Sequence, residues 1–268
     1  MRVIGWIAVN VFKESVRDKV LYNLVFFAIL LIAASYLLGQ LTAGQDIKII
    51  KDLGLAAMSV FGLFMAVFIG IGLVSKEVER RTIYSLLSKP IRRQQFIVGK
   101  YLGMVLTLLV NVGVMTGAYY AVLGYMAWSA GGWFKPGWDA PAIDPALLKA
   151  VVMIVLQLLI VTALALFFST FSSPILSAAL TLGLYVVGHF NADLKHFETV
   201  VDSRPVVYLA RALYYVLPNL APFDIKAQVV HGQPVQAGFL LLNGAYAVVY
   251  IGVLLIGATL IFLRRDFK

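Results

Sequence analysis

The chain of 268 residues has 61% hydrophobic and only 13% charged residues. Because charged residues make up about a quarter of an ordinary soluble domain, this composition excludes one and predicts an integral membrane protein. The sequence has no cysteine, which excludes disulfides and thiolate metal sites, and its net charge of +9 raises the question of whether the basic residues bind nucleic acid.

Residues 1–19 are predicted to form an interfacial helix that lies on the membrane. Ile4, Ile7 and Val11 follow helical spacing and give one apolar stripe, with basic residues around it. A signal peptide is the alternative interpretation. The apolar run that follows is too long for a signal peptide and lacks a small-residue cleavage site, so the interfacial helix is favoured.

Six apolar runs predict six transmembrane helices, and the expected fold is an all-α integral membrane protein with one domain over residues 1–268. A helix needs about 20 apolar residues to cross a hydrocarbon core of about 30 Å. The predicted spans cover residues 20–41, 53–75, 96–128, 147–170, 175–191 and 236–263. The first two spans are separated by a predicted loop that contains Asp46, Lys48, Lys51 and Asp52.

The loops on the other side of the predicted bundle have two recognisable features. Trp128, Trp133 and Trp138 are predicted to form an aromatic belt at the membrane interface. Residues 206–217 and 224–230, which precede the last span, are too short to cross the membrane and are predicted to be interfacial or re-entrant helices. His231-Gly232 should close the second of them, because glycine adopts the left-handed conformation that ends many helices.

The distribution of Lys and Arg predicts the orientation of the chain. Six spans place both termini and residues 76–100 on one side, with 4 basic residues in 1–19, 7 in 76–100 and 3 in 264–268. That side has 14 basic and 5 acidic residues, whereas the other side has 8 of each. Because basic loops stay in the cytoplasm, the excess charge reflects orientation and no nucleic-acid partner is expected. The chain is predicted to lie in a bacterial or archaeal cytoplasmic membrane with both termini inside.

The polar stretch 76–100, KEVERRTIYSLLSKPIRRQQFIVGK, separates the second and third predicted spans. It should contain a short amphipathic helix, with Glu77 and Glu79 in its first turn, where the helix dipole favours carboxylates. Pro90 should end that helix. The apolar residues that share one face are Ile83, Leu86 and Leu87. That face needs a partner, whereas a plain loop that only sets topology, the alternative interpretation, needs neither the face nor the glutamates.

The polar stretch resembles the cytoplasmic loop between the second and third spans in permease subunits of type-2 ABC transporters. The residues that carry the resemblance are Glu77, Glu79, Thr82, Leu86, Leu87, Pro90, Arg93, Gly99 and Lys100. In that family the loop is the coupling helix, which docks in a groove of the ATPase subunit. The residues that the resemblance implies in ATPase coupling are Glu77, Glu79, Thr82, Ile83, Leu86, Leu87, Pro90 and Arg93. One departure is Arg81, since the family usually has glycine before the threonine.

The resemblance implies an exporter in which two permease chains, identical or different, work with two ABC ATPase subunits. ATP and magnesium would bind to the ATPase, so this chain is expected to bind no cofactor and to have no enzymatic activity. Uncharged spans predict an amphiphilic or lipid-like substrate. The alternatives are a membrane scaffold that does mechanical or assembly work on a periplasmic partner, and an ion-coupled transporter, which is disfavoured because charged residues are nearly absent from the predicted spans, with Lys100 near the edge of the third.

Two further patterns leave alternatives open. His189, Asp193 and His196 have a spacing that would suit a metal site, although a polar rim at a helix end is the favoured interpretation. The pairs Gly99/Gly103 and Gly113/Gly117 predict close packing of the third span, either inside one subunit, which is slightly preferred, or between subunits.

Overall fold

The computed structural model describes residues 2–41, 46–79, 93–134, 138, 140–190, 208, 211–214 and 216–264, and within these residues the chain is helical without strands. The helices are α1 Arg2–Val16, α2 Lys19–Gln40, α3 Asp46–Glu79, α4 Arg93–Ser129, α5 Ala146–Ser169, α6 Pro174–His189, a 3-10 turn at Ala221–Phe223, α7 Lys226–Val230 and α8 Ala237–Arg264. Tyr208, residues 211–214 and Val216, which belong to the predicted helix 206–217, are also helical.

Five of the described helices, α2, α3, α4, α5 and α8, are long and apolar enough to cross a membrane. The fifth predicted span corresponds to α6, which has only 16 residues. Its length is about 24 Å, less than a hydrocarbon core of about 30 Å. The all-α membrane fold is therefore confirmed, while the number of six spans is not.

Helices α3 and α5 form the centre of the bundle. In its most apolar stretch α3 is 72% buried and α5 is 67% buried, against 22% for α2 and 28% for α8. Glycines let the two central helices approach closely: a Cβ atom would lie 2.5 Å from Leu158 Cδ1 at Gly62 and 2.4 Å from Ala165 Cβ at Gly70. Small residues thus create a close interface between α3 and α5, as is usual between membrane helices.

Helix α1 packs across the first turns of α4. A Cβ atom at Gly99 would lie 2.8 Å from Ile7 Cβ, and one at Gly103 would lie 2.6 Å from the carbonyl oxygen of Ala8 and from Val11 Cβ. The first glycine pair of α4 therefore packs inside the subunit, as preferred from the sequence. The second pair, Gly113/Gly117, has no atom of the described structure within 4 Å of a Cβ atom.

Helix α3 begins at Asp46, inside the stretch predicted to be a loop. The helix extends beyond its apolar run because polar side chains there have partners: Lys51 is 1% exposed and donates from Nζ to the carbonyl oxygen of Pro141 over 2.7 Å. Trp138 Nε1 donates to Asp46 Oδ1 over 3.0 Å and its side chain is buried. Trp138 therefore does not belong to the predicted belt, whereas Trp128 and Trp133 are exposed.

The segment before α8 folds back against the bundle. Leu220 N–H donates to the carbonyl oxygen of Gly188 over 2.9 Å, which joins this segment to the end of α6. The short helix α7 packs on α3 and α5, and it ends at His231 with Gly232 at a φ of +68°. The predicted helix and its glycine stop are confirmed, although α7 begins at Lys226 rather than at residue 224.

The two ends of the bundle can be identified by these contacts. The Trp138 end contains the first residues of α3, α5 and α8, since Lys149 of α5 donates from Nζ to the carbonyl oxygen of Val235 over 2.8 Å. The Arg93 end contains the first residues of α4 and the last residues of α8. The end of α3 that leads toward the predicted coupling residues also lies away from the Trp138 end.

Candidate functional site

The predicted coupling residues divide between described and undescribed parts of the chain. Glu77 and Glu79 lie in the last described turns of α3, where the structure describes their backbone, and Arg93 is the first residue of α4. The coupling residues that lie outside the described residues are Thr82, Ile83, Leu86, Leu87 and Pro90. Their amphipathic helix stays a prediction.

The two glutamates occupy a different place from the one expected. Helix α3 runs without interruption to Glu79, so Glu77 and Glu79 extend the second predicted span instead of opening a separate helix. The physical reason is that no glycine or proline interrupts the chain between Ser75 and Glu79. The two acidic residues therefore belong to the same helix that forms part of the bundle core.

Helices α3 and α4 are both much longer than a bilayer requires. With 34 and 37 residues, they measure about 51 Å and 56 Å, against a hydrocarbon core of about 30 Å. The apolar run of α3 ends before Lys76, and the helix continues to Glu79, its last described residue. The candidate site is thus carried by two long helices whose ends flank residues 80–92.

Arg93 binds the end of α8. Its Nη1 donates to the carbonyl oxygens of Phe262 over 2.9 Å and of Leu263 over 3.1 Å. Backbone carbonyls toward the C-terminal end of a helix favour a cation, because the helix dipole is negative there. Arg93 therefore caps the described part of α8. Its contact with an ATPase, expected from the resemblance, stays a prediction.

Two residues that the sequence analysis did not assign to the site reinforce this contact. The rings of Phe96 and Phe262 stack with centroids 5.8 Å apart and an interplanar angle of 18°. Lys100 is 1% exposed, and its Nζ lies 4.8 Å from the centroid of Phe96. Arg93, Phe96 and Lys100 occupy positions i, i+3 and i+7, so they share one face of α4. That spacing was visible in the sequence, but its partner on α8 was not.

A cavity of about 190 Å³ lies between the α1–α2 elbow and the apolar end of α3. Asp18 caps α2 by accepting from Val20 N–H over 3.0 Å, and Ser15 Oγ is buried with no hydrogen-bond partner. The cavity is lined by Glu14, Ser15, Asp18, Val20, Leu21, Phe68, Ile69 and Gly72. The elbow of the predicted interfacial helix thus lies beside the exit of α3 toward the coupling residues.

His189 is enclosed by hydrogen bonds at the end of α6. Its Nδ1 lies 2.8 Å from the carbonyl oxygen of Tyr185 and its Nε2 lies 2.8 Å from Nε2 of Gln157. Because a carbonyl only accepts, Nδ1 carries the proton and Nε2 accepts from the amide. A metal ion would have to displace Gln157. Asp193 and His196, the other members of the proposed metal group, lie outside the described residues.

An ionisable side chain reaches the bundle from a segment that does not span it. Lys226 Nζ donates to Ser59 Oγ over 3.2 Å and lies 3.4 Å from Asp224 Oδ1. Ser59 is buried in α3, about 20 Å along the helix from its first residue. Lys226 therefore brings a basic side chain to a buried residue of α3 from α7, which is not one of the predicted spans. Within the spans, Lys100 is not the sole basic residue, because Lys149 of α5 lies in the fourth predicted span.

Comparison with known families agrees with this architecture. The sequence matches the profile of the family described as ABC-2 family transporter protein over residues 5–267. The match includes α1, all the long helices and the undescribed residues 80–92. No curated individual protein matches the sequence.

Proposed function

Because the chain belongs to the ABC-2 family of transporter proteins, we propose that it is the membrane subunit of an ATP-driven exporter and works with a separate ABC ATPase. The observation that carries the proposal is the pair of long helices, α3 and α4, whose ends flank residues 80–92. In the proposed orientation, the described ends of α3 and α4 on either side of this stretch face the cytoplasm, where the ATPase would bind. The proposed complex has two permease chains and two ATPase subunits, which bind ATP and magnesium.

In this proposal residues 77–93 form the coupling segment. Ile83, Leu86 and Leu87 fill an apolar groove of the ATPase, while Glu77 and Glu79 make charge-assisted contacts at its edge. Support comes from the course of α3, which holds both glutamates on a continuous helix beyond its apolar run. A continuous helix can transmit a displacement of the segment into the core of the bundle.

Substitution of the apolar face tests the coupling segment. Leu87→Asp should weaken ATPase binding by about 2–3 kcal/mol, or roughly 30- to 150-fold, because a charge in an apolar groove is not solvated. The measurement is co-purification of the ATPase together with its hydrolysis rate in the reconstituted complex. The matched control is Ser88→Asp, which adds the same charge next to the apolar face. If Leu87→Asp retained the ATPase and full hydrolysis, the segment would be a topological loop and the exporter proposal would lose its main support.

We further propose six membrane crossings with both termini in the cytoplasm. In this proposal, α6 and the segment before α8 together fill the depth of the membrane. The support is that His189, at the end of α6, contacts Gln157, which lies about 16 Å along α5 from Ala146. Leu220 and α7 then fill the rest of the depth as a re-entrant segment. Reporter fusions after Gly137 and Asp202 should give an outside signal, and a fusion after Lys268 an inside signal. A cytoplasmic signal at Asp202 would contradict the six crossings.

An amphiphilic substrate is the third part of the proposal. The exposed side chains on the described parts of α3 and α6 are mostly apolar and include Val60, Phe64, Phe68, Leu176, Leu180 and Val186. A path formed by such walls between two permease chains would suit a lipid-like molecule better than an ion. In the reconstituted complex, with magnesium and ATP kept constant, lipids of different headgroups should change the hydrolysis rate, whereas other inorganic ions should not. Stimulation by an ion alone would contradict this assignment.

A further inference from the structure

The contact between α4 and α8 at the Arg93 end involves two helices that are distant in sequence. Arg93 donates to two carbonyl oxygens of α8, and Phe96 stacks on Phe262. The guanidinium carbon also lies 6.0 Å from the centroid of the Phe262 ring. Charge-assisted bonds to helix-end carbonyls are stronger than bonds between neutral groups, and they are directional. We call the contact formed by these residues, Arg93, Phe96, Phe262 and Leu263, the Arg93 contact.

A surface groove lies next to the Arg93 contact. Beside it a groove of about 310 Å³ opens between α4 and α8, lined by Gln94, Val98, Leu255, Ile256, Thr259 and Leu260. Helix α8 also packs on α5; for example, a Cβ atom at Gly257 would lie 3.0 Å from the ring of Phe167. Among the long described helices, α8 therefore packs on both α5 and α4.

We propose that Arg93 is a positioning residue that makes the end of α8 follow α4 when the ATPase moves the coupling segment. This inference rests on the proposed function. Arg93 is the last residue of the coupling segment and the first residue of α4, so a displacement of the segment enters α4 through it. Because Arg93 is bound to the end of α8, the displacement is delivered to a second helix. Without this contact, α8 stays with α5.

Distances between spin labels test the proposal in the complex with the ATPase. The sequence has no cysteine, so label sites can be introduced without removing native ones. Leu102 on α4, Leu263 on α8 and Ile175 on α6 have exposed side chains. When the complex is trapped with ATP and vanadate, the distance from position 102 to position 263 should stay constant, while that from 175 to 263 should change by about 2 Å or more.

In Arg93→Gln the pattern should reverse, so that the 102–263 distance changes and the 175–263 distance stays constant. Arg93→Lys, which keeps the charge but cannot bind two carbonyls in the same way, should give an intermediate pattern and remains readable if Arg93→Gln is poorly produced. Gln94→Ala, on the same turn, should behave like the wild type. Co-purification of the ATPase should be unchanged in Gln94→Ala, and it is measured in both Arg93 variants so that loss of the ATPase is distinguished from loss of the Arg93 contact.

A changed 102–263 distance in the trapped wild type would overturn the proposal, as would a wild-type pattern in Arg93→Gln. A constant 175–263 distance in the wild type would also overturn it, because α8 would then not move. These outcomes leave the exporter proposal intact. If no ATPase co-purified with the wild type, the proposed function would fail, and this inference with it.

Discussion

Helices α3 and α8 are both strongly apolar and long enough to span a membrane, but they occupy opposite environments. In their most apolar stretches α3 is 72% buried and α8 is 28% buried. The difference follows the glycines. Gly54, Gly62 and Gly70 of α3 each face a side chain of α4 or α5 at a distance too short for a Cβ atom. On α8, a Cβ atom at Gly238 or Gly252 would have no described atom within 4 Å.

This comparison shows that an apolar membrane helix need not lie at the centre of the bundle. Lipid tails are as apolar as a leucine side chain, so apolarity inserts a helix without selecting its neighbours. Small residues select them, because dispersion contacts gain when two backbones approach closely. The glycines of α3, eight residues apart, were not singled out from the sequence, yet they define the interface on which the bundle is built.

Gly70→Val should cause the largest loss of stability, because it disturbs a glycine contact that keeps α3 central. A Cβ atom at Gly70 would lie 2.4 Å from Ala165 Cβ, and that atom cannot rotate away because it is fixed to the α5 backbone. The cost should be about 1–3 kcal/mol or more, as for other overpacked interiors. Thermal unfolding of the purified protein measures it. The matched variant Gly252→Val on α8 should change stability by less than about 0.5 kcal/mol. Equal effects at both positions would contradict the packing described.

The next largest effect is expected at the contact between α7 and α3, which is more buried than α8. Lys226→Met removes the hydrogen bond to Ser59 and should cost about 1 kcal/mol, or about fivefold in the population of detached α7. Val230 is 1% exposed, so a cysteine placed there reports detachment. Its labelling rate by an impermeant thiol reagent should rise about fivefold.

The control for Lys226→Met is Gln228→Met on the same short helix, where the side chain is exposed. It should leave the labelling of position 230 unchanged. An unchanged rate in Lys226→Met itself would show that apolar packing alone holds α7 against α3.

The smallest loss of stability is expected at a second glycine of α3, Gly62. Gly62→Ala places a Cβ atom 2.5 Å from Leu158 Cδ1, which is the flexible end of a side chain. Rotation of Leu158 should limit the loss of stability to about 1 kcal/mol. Thermal unfolding of Gly62→Ala, Leu158→Ala and the double variant gives the coupling between them. Because the two groups are in contact, the double variant should lose less than the sum of the single changes. Additive losses would place Leu158 away from Gly62.

The extent of the long helices was largely predictable. The predicted spans 96–128, 147–170 and 236–263 agree with α4, α5 and α8 to within three residues at each end. The start of α3 was not, because its first turn is stabilised by Trp138 and Pro141, which are about 90 residues away in the sequence. At the candidate site, Arg93 was predicted but its partners on α8 were not, since a residue of one helix does not indicate which helix will lie beside it.

The sequence by itself determined that the chain is a bundle of apolar helices, because hydrocarbon provides no hydrogen bonds and each backbone group must be satisfied inside its own helix. That requirement acts locally, so it can be recognised in a run of residues. The tertiary structure alone decided that α3 and α5 are central, that Lys226 reaches Ser59, and that Arg93 caps α8. These contacts join residues up to 170 positions apart, and they depend on shape and on polar partners that only the assembled bundle brings together.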